Sequence, residues 1–165
     1  IILFIVEVNE NLGKVCTQKM RVKDKMLTKK NTEDKAVKFK YFKFSEFDCV
    51  KNGKVLATGK ENMDIDFIKK LDNAREISGI PFKINSGFRT PEYNVWLESR
   101  GFKVAKNSPH MKGLAADIST KNSKQRYKVI DSLLKAGFKR IGIGETFVHC
   151  DTDETKSQDI IWTYY

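Results

Sequence analysis

A chain of 165 residues with 40% apolar side chains is long enough for one domain with a real core, and its composition is neither that of a disordered segment nor that of a membrane protein. Its 31 Lys and Arg against 21 Asp and Glu give a net charge of +10, which favours polyanionic partners (nucleic acid, a membrane surface, an anionic cell wall) and serves solubility equally well. Three cysteines, Cys16, Cys49 and Cys150, form no CxxC pair, which argues against a disulfide framework or a cysteine-built zinc finger.

Residues 1–6 are apolar but too short to span a bilayer, and they lack the basic flank of a signal peptide. Residues 12–38 are polar, lysine-heavy and weakly periodic. Residues 1–36 therefore read as a poorly ordered lead-in or a basic hairpin, and 37–165 as the compact domain. YFKFSEFDCV alternates aromatics and runs into a turn at Asn52-Gly53. Between residues 62 and 78, Ile65, Ile68, Leu71 and Ile77 share one stripe of a helix, with Gly79 as its stop. A short strand over FKIN (82–85) follows Pro81. Thr90-Pro91-Glu92 starts a second helix through a capping hydroxyl, a proline in the first turn and an acid at the positive end of the dipole. That helix runs through Trp96 and stops before Gly101. GLAADIS (113–119) reads as a buried strand. A helix from about Ser123 carries Val129, Ile130, Leu133 and Leu134 to Gly137. RIGIG and TFVHCD then read as two closely connected strands. This order predicts an α+β fold, a small mixed or antiparallel sheet with flanking helices.

The chain has two histidines, and each lies in a segment with a carboxylate close by. Around His110, the small residues Gly113, Ala115 and Ala116 permit close backbone approach. Asp117 sits in an otherwise apolar strand, and a buried carboxylate needs a cation, several donors or a metal. In an extended GETFVHCD, residues 145, 147, 149 and 151 share one face, opposite Val148 and Cys150. His149 can then face Asp117, whereas Cys150 cannot easily join it. Each histidine alone reads equally as a hydrogen-bonded core residue. Together, two imidazoles and a carboxylate make three protein ligands with a fourth position open, the layout of a catalytic zinc site.

SGFRTPEYN (86–94), SPHMKGLAADI (108–118) and FVHCD (147–151) resemble the three signature blocks of the zinc D-alanyl-D-alanine carboxypeptidases, peptidase family M15. The similarity is greatest to small members found in phage lysins and cell-wall hydrolases. The blocks occur in order within residues 37–153. The resemblance implies a Hedgehog/DD-peptidase-like fold, which Hedgehog signalling domains share, so that fold alone does not fix activity. It implies Zn2+ held by His110, Asp117 and His149, with Arg89 contacting substrate near the reaction centre. A guanidinium there clamps a carboxylate or a developing oxyanion, or else braces the turn before the Thr90 helix. Ser108 either hydrogen-bonds substrate or shapes its loop.

One position departs from the pattern. Members of the family place an acid three residues before the last histidine as general base, and residue 146 here is Thr. Glu145, read on the His149 face, is the first candidate base. Asp151 is the second, or else it orients His149. The implied activity is zinc-dependent hydrolysis of peptidoglycan peptides, as a carboxypeptidase or endopeptidase of endolysin type. The protein would be a monomer made in a bacterial or phage-infected cytoplasm and acting at an anionic cell wall. A zinc-binding module of the same fold without turnover, structural or interacting, is the alternative that Thr146 favours. Nucleic-acid binding by the basic lead-in lacks the aromatic–basic interleaving of a stacking platform.

Overall fold

The computed structural model describes residues 38–164, so the lead-in read at 1–36 lies outside the described residues. The domain opens with a 3-10 turn, Phe44–Phe47, and a hairpin of Cys49–Lys51 (β1) and Lys54–Ala57 (β2). Asn52 and Gly53 both have positive φ, the backbone of a tight two-residue hairpin turn, as their sequence predicts. A one-turn helix, Gly59–Asn62 (α1), precedes the long helix Ile65–Ser78 (α2). The long helix starts later than its periodicity suggests because Asp64 caps it, its carboxylate accepting from the Phe67 amide. Gly79 ends it in the left-handed conformation.

Ile84–Ser86 (β3), Pro91–Ser99 (α3), Ala115–Ser119 (β4), Ser123–Lys135 (α4), Arg140–Ile143 (β5), Phe147–Asp151 (β6) and Ile160–Thr163 (β7) follow. The strand expected at 113–119 begins only at Ala115, because residues 109–112 form a 3-10 turn that Gly113 closes at φ 72°. β7 has no counterpart among the predicted elements. The five-stranded sheet runs β3-β4-β6-β5-β7, antiparallel throughout except for the parallel pair β5–β7. The α+β class with a small mixed sheet is as the sequence predicts.

The two faces of the sheet do different work. Ala116, Ile118, Ile141, Val148 and Cys150 point to one face and pack with Phe67, Ile68 and Leu71 of α2 and with Val129 and Leu133 of α4. Side chains on that face are almost fully buried, the Val, Leu, Ile and Phe among them contributing about 1.5–3 kcal/mol each. Both long helices lie on this one layer, so the opposite face is left to the residues that alternate with the core: Asp117, Arg140, His149 and Asp151. No helix among the described residues is long and apolar enough to cross a membrane.

Candidate active site

Strand register builds most of the site. Across the sheet, Ser86, Asp117, His149, Gly142 and Trp162 are successive partners, and Asp151 pairs with Arg140 one step along the same face. His110 enters from the 3-10 turn ahead of β4. Pro109 presets the first position of that turn, and Gly113 ends it at positive φ. A Cβ at Gly113 would collide with the Asn62 carbonyl oxygen, so the turn that aims His110 requires glycine twice over.

The three polar side chains converge. One ligand-capable atom from each of His110, Asp117 and His149 falls within 4.8 Å of the others. His149 Nδ1 is 2.8 Å from Asp117 Oδ1 and 3.2 Å from His110 Nε2, which is itself 3.3 Å from Asp117 Oδ1. The far nitrogen of each ring is anchored. His110 Nδ1 donates to the Gly87 carbonyl at 2.7 Å, and His149 Nε2 donates to Asp151 Oδ2 at 3.1 Å. Those bonds leave an unshared pair on His110 Nε2 and on His149 Nδ1, both aimed at a carboxylate oxygen. Three acceptors so close repel one another unless a cation lies among them. Two imidazole nitrogens and one carboxylate oxygen at this spacing suit an ion bound at about 2.0–2.2 Å.

Without an ion, a proton takes part of that role. Burial pulls the pKa of His149 down, but its bonds to Asp117 and Asp151 outweigh burial and the net shift is upward. Burial dominates at His110, which titrates below its ordinary value. Burial also works against the charge on Asp117, yet the two histidines hold it ionised well below the usual carboxylate range.

Arg89 precedes the Thr90 cap of α3. Its Nη2 donates to Asp117 Oδ2 at 2.5 Å, its Nε donates to Ser86 Oγ at 2.8 Å, and its amide donates to the His110 carbonyl. It thus turns the other oxygen of Asp117 towards the histidines. Asp151 is also committed: Oδ1 accepts from Arg140 Nε at 2.8 Å and from the Asp153 amide at 3.0 Å, while Oδ2 accepts from His149. Ser108 is buried. It lines, together with Arg89, Asp117, His149 and Asp151, one cavity of about 640 Å³.

Glu145 is not brought to this cavity. The Gly144 amide bonds to the Phe147 carbonyl, closing a turn over residues 144–147, so strand alternation does not reach back to 145. Glu145 is exposed there, its backbone carbonyl held by Arg126. Among the described residues, the carboxylates lining the cavity are Asp117 and Asp151. Three further residues at the cavity escaped the sequence reading: Arg140, Trp162 and Tyr164. The alternation in IIWTYY was the available signal for the last two.

A family model described as Peptidase M15 matches residues 40–151. The chain belongs to the M15 peptidase family. Its members are zinc metallopeptidases, and the His110–Asp117–His149 cluster is a donor set of the matching kind. Among solved structures, the chain is similar to the L-Ala D-Glu endopeptidase ChiX of Serratia marcescens. The identity is 16% and the TM-score 0.47, over 55% of this chain and 80% of that one. No curated protein sequence matches the chain.

Proposed function

We propose that this M15 peptidase is a zinc-dependent hydrolase of peptidoglycan peptides, with His110 Nε2, Asp117 Oδ1 and His149 Nδ1 as its metal ligands. One observation carries the reading. Three acceptor atoms converge, two of them on residues that line a large cavity (Asp117 and His149), and each imidazole has its other nitrogen tied down. When bound, zinc supplies Lewis acidity, polarising a carbonyl and lowering the pKa of water.

The remaining chemistry belongs to the chain. Arg89 orients Asp117 and lines the cavity, where its remaining N–H groups are placed to hydrogen-bond a substrate carbonyl oxygen. Because that guanidinium is already engaged by Asp117 and Ser86, it is a poor clamp for a free C-terminal carboxylate. This favours endopeptidase over carboxypeptidase cleavage. Ser108 offers a hydroxyl beside the first histidine. Asp151 acts first as a positioning residue, holding His149 in the tautomer that frees Nδ1. A role as general base requires that bond to loosen. The net charge of +10 suits action on an anionic wall, as in an endolysin.

The commitment of Asp151 and the exposure of Glu145 favour a second reading, a metal-binding module without turnover. One experiment separates them: quantify zinc in the purified protein and incubate it with purified peptidoglycan beside a His149→Ala control. New amine ends that appear only with zinc-loaded wild type support the peptidase. One zinc per chain without product across several wall chemotypes supports the module, and absence of zinc overturns both.

A further inference from the structure

β7 lies beyond the family-matched segment, which ends at residue 151, yet it forms one wall of the cavity. Trp162 is the register partner of Gly142, which in turn partners His149. The Trp162 and His149 rings are 5.6 Å apart, and the Tyr164 ring is 6.3 Å from His149. The sheet makes room for this pair. A Cβ at Gly142 would lie 2.6 Å from the Tyr164 ring and 2.8 Å from the Trp162 ring. A side chain at this β5 position next to His149 would therefore push the aromatic wall away.

The charges around the cavity are uneven. Of its four cations, Arg89 is paired with Asp117 and Arg140 with Asp151. Lys103 and Lys156 line the cavity with no acidic partner among the described residues. Lys103 belongs to the loop after α3, on the β3 side. Lys156 belongs to the turn between β6 and β7 and lines the cavity together with Trp162. That turn is well held: the Lys156 amide donates to the Asp153 carbonyl at 3.2 Å, and Gln158 donates to the Lys156 carbonyl at 2.7 Å. Of the two acids just before it, Asp153 is taken by Lys112 at 2.8 Å, and the exposed Glu154 forms no ion pair with it. The turn thus has a hydrogen-bonded backbone, and Lys156, without an acidic partner among the described residues, lines the same cavity as Trp162, Tyr164, Asp117 and His149.

Building on the peptidase reading, we infer that Trp162, Tyr164 and Lys156 form a subsite for an acidic residue of the substrate beside the bond to be cut. The rings take its methylene stem, and Lys156 takes its free carboxylate. The preferred substrate class is thus a peptide with an ionised carboxylate next to the scissile bond, and its amidated counterpart is a poorer substrate.

The test uses two probes that differ in one group. One is the peptide L-Ala-γ-D-Glu-L-Lys-D-Ala with the D-Glu α-carboxylate free, and the other is the same peptide with that group as a primary amide. Calorimetric affinity and kcat/KM are measured for both on the full zinc-loaded chain and on Lys156→Gln, with thermal unfolding as a check on folding. Wild type is expected to favour the acid by about 10-fold, the worth of one partly exposed charge-assisted contact. The ratio falls to about one in Lys156→Gln and inverts in Lys156→Glu. An affinity ratio that behaves this way without cleavage of either peptide supports the subsite and removes the peptidase reading. Cleavage of both with equal preference in wild type, a preference that survives Lys156→Gln, or binding of neither peptide overturns the subsite.

Discussion

Asp151→Asn isolates the bond that fixes His149. In the native site, one oxygen of Asp151 accepts from Arg140 Nε and the Asp153 amide, and the other accepts from His149 Nε2. An amide has one acceptor end. If its oxygen serves Arg140 and Asp153, its NH2 faces His149 Nε2, and the ring must move its proton to Nδ1, the atom that faces Asp117 and the metal position. If its oxygen serves His149, the NH2 faces the Arg140 guanidinium, and a side chain only 8% exposed loses its carboxylate. Either outcome is costly. Loss of a second contact of this kind typically lowers metal affinity 10–100-fold, and a wrong tautomer puts the effect at the upper end, about 100-fold or 2.7 kcal/mol.

Breaking a buried pair costs about 3–5 kcal/mol, but the amide keeps one acceptor, so about 2–3 kcal/mol is expected here. For a domain of this size, that lowers Tm by roughly 6–10 °C in chelator. Zinc affinity is read by competition with a chromophoric chelator, and stability by thermal unfolding of the metal-free protein. Adding Arg140→Met removes the competing donor and lets the amide oxygen return to His149. The double variant should bind zinc at least several-fold more tightly than Asp151→Asn alone. Zinc affinity within 3-fold of wild type in the single variant, or no recovery in the double, would refute the tautomer argument.

Glu145→Gln should leave peptidoglycan hydrolysis within 2-fold of wild type, because the side chain is exposed and away from the cavity; a loss beyond 10-fold would restore Glu145 as base. Gly113→Ala combines a left-handed backbone with a collision against the Asn62 carbonyl, and should cost at least about 2–3 kcal/mol in urea unfolding together with most zinc binding. Zinc and protons compete at the same atoms, so affinity should fall on acidification, beginning above the ordinary histidine value of 6.5 because the pKa of His149 is raised. In the metal-free protein, the stability due to His149 is full below 6.5 and is lost as pH rises through its raised folded value. His110, with a lowered folded value, removes stability as pH falls below 6.5, so denaturant midpoints of the metal-free protein should peak near pH 6.5; a midpoint that rises steadily through this range contradicts both directions.

Much of this site was legible because period-two alternation is a local property. Placing Asp117 and His149 on one face and Cys150 on the other needs only the residues of each strand, and the structure keeps that division, with Cys150 in the core. The helix stop at Gly79 and the cap at Thr90 are local in the same sense. What escaped depends on the order of strands. Arg140 touches Asp151 only because β5 pairs with β6, and Trp162 reaches the site only because β7 adds in parallel beyond β5. Glu145 was misplaced for the opposite reason: alternation was extended through residues that turn instead of pairing.

The same division of faces accounts for how the fold tolerates so many buried polar groups beside its core. The helices cover one face, where every residue is apolar or small. The other face carries its charges in matched pairs, Arg89 with Asp117 and Arg140 with Asp151, each guanidinium neutralising a carboxylate that would otherwise be stranded. As metal ligands, the two histidines would be neutral and would add acceptors but no charge. A divalent ion among them therefore raises the charge of the face by two, with nothing in the first row of residues left to offset it. A substrate that enters as an anion relieves that imbalance, and an unpaired Lys156 on the β7 side sets where its negative charge will rest. Charge balance at the metal and recognition at β7 thus favour the same peptide.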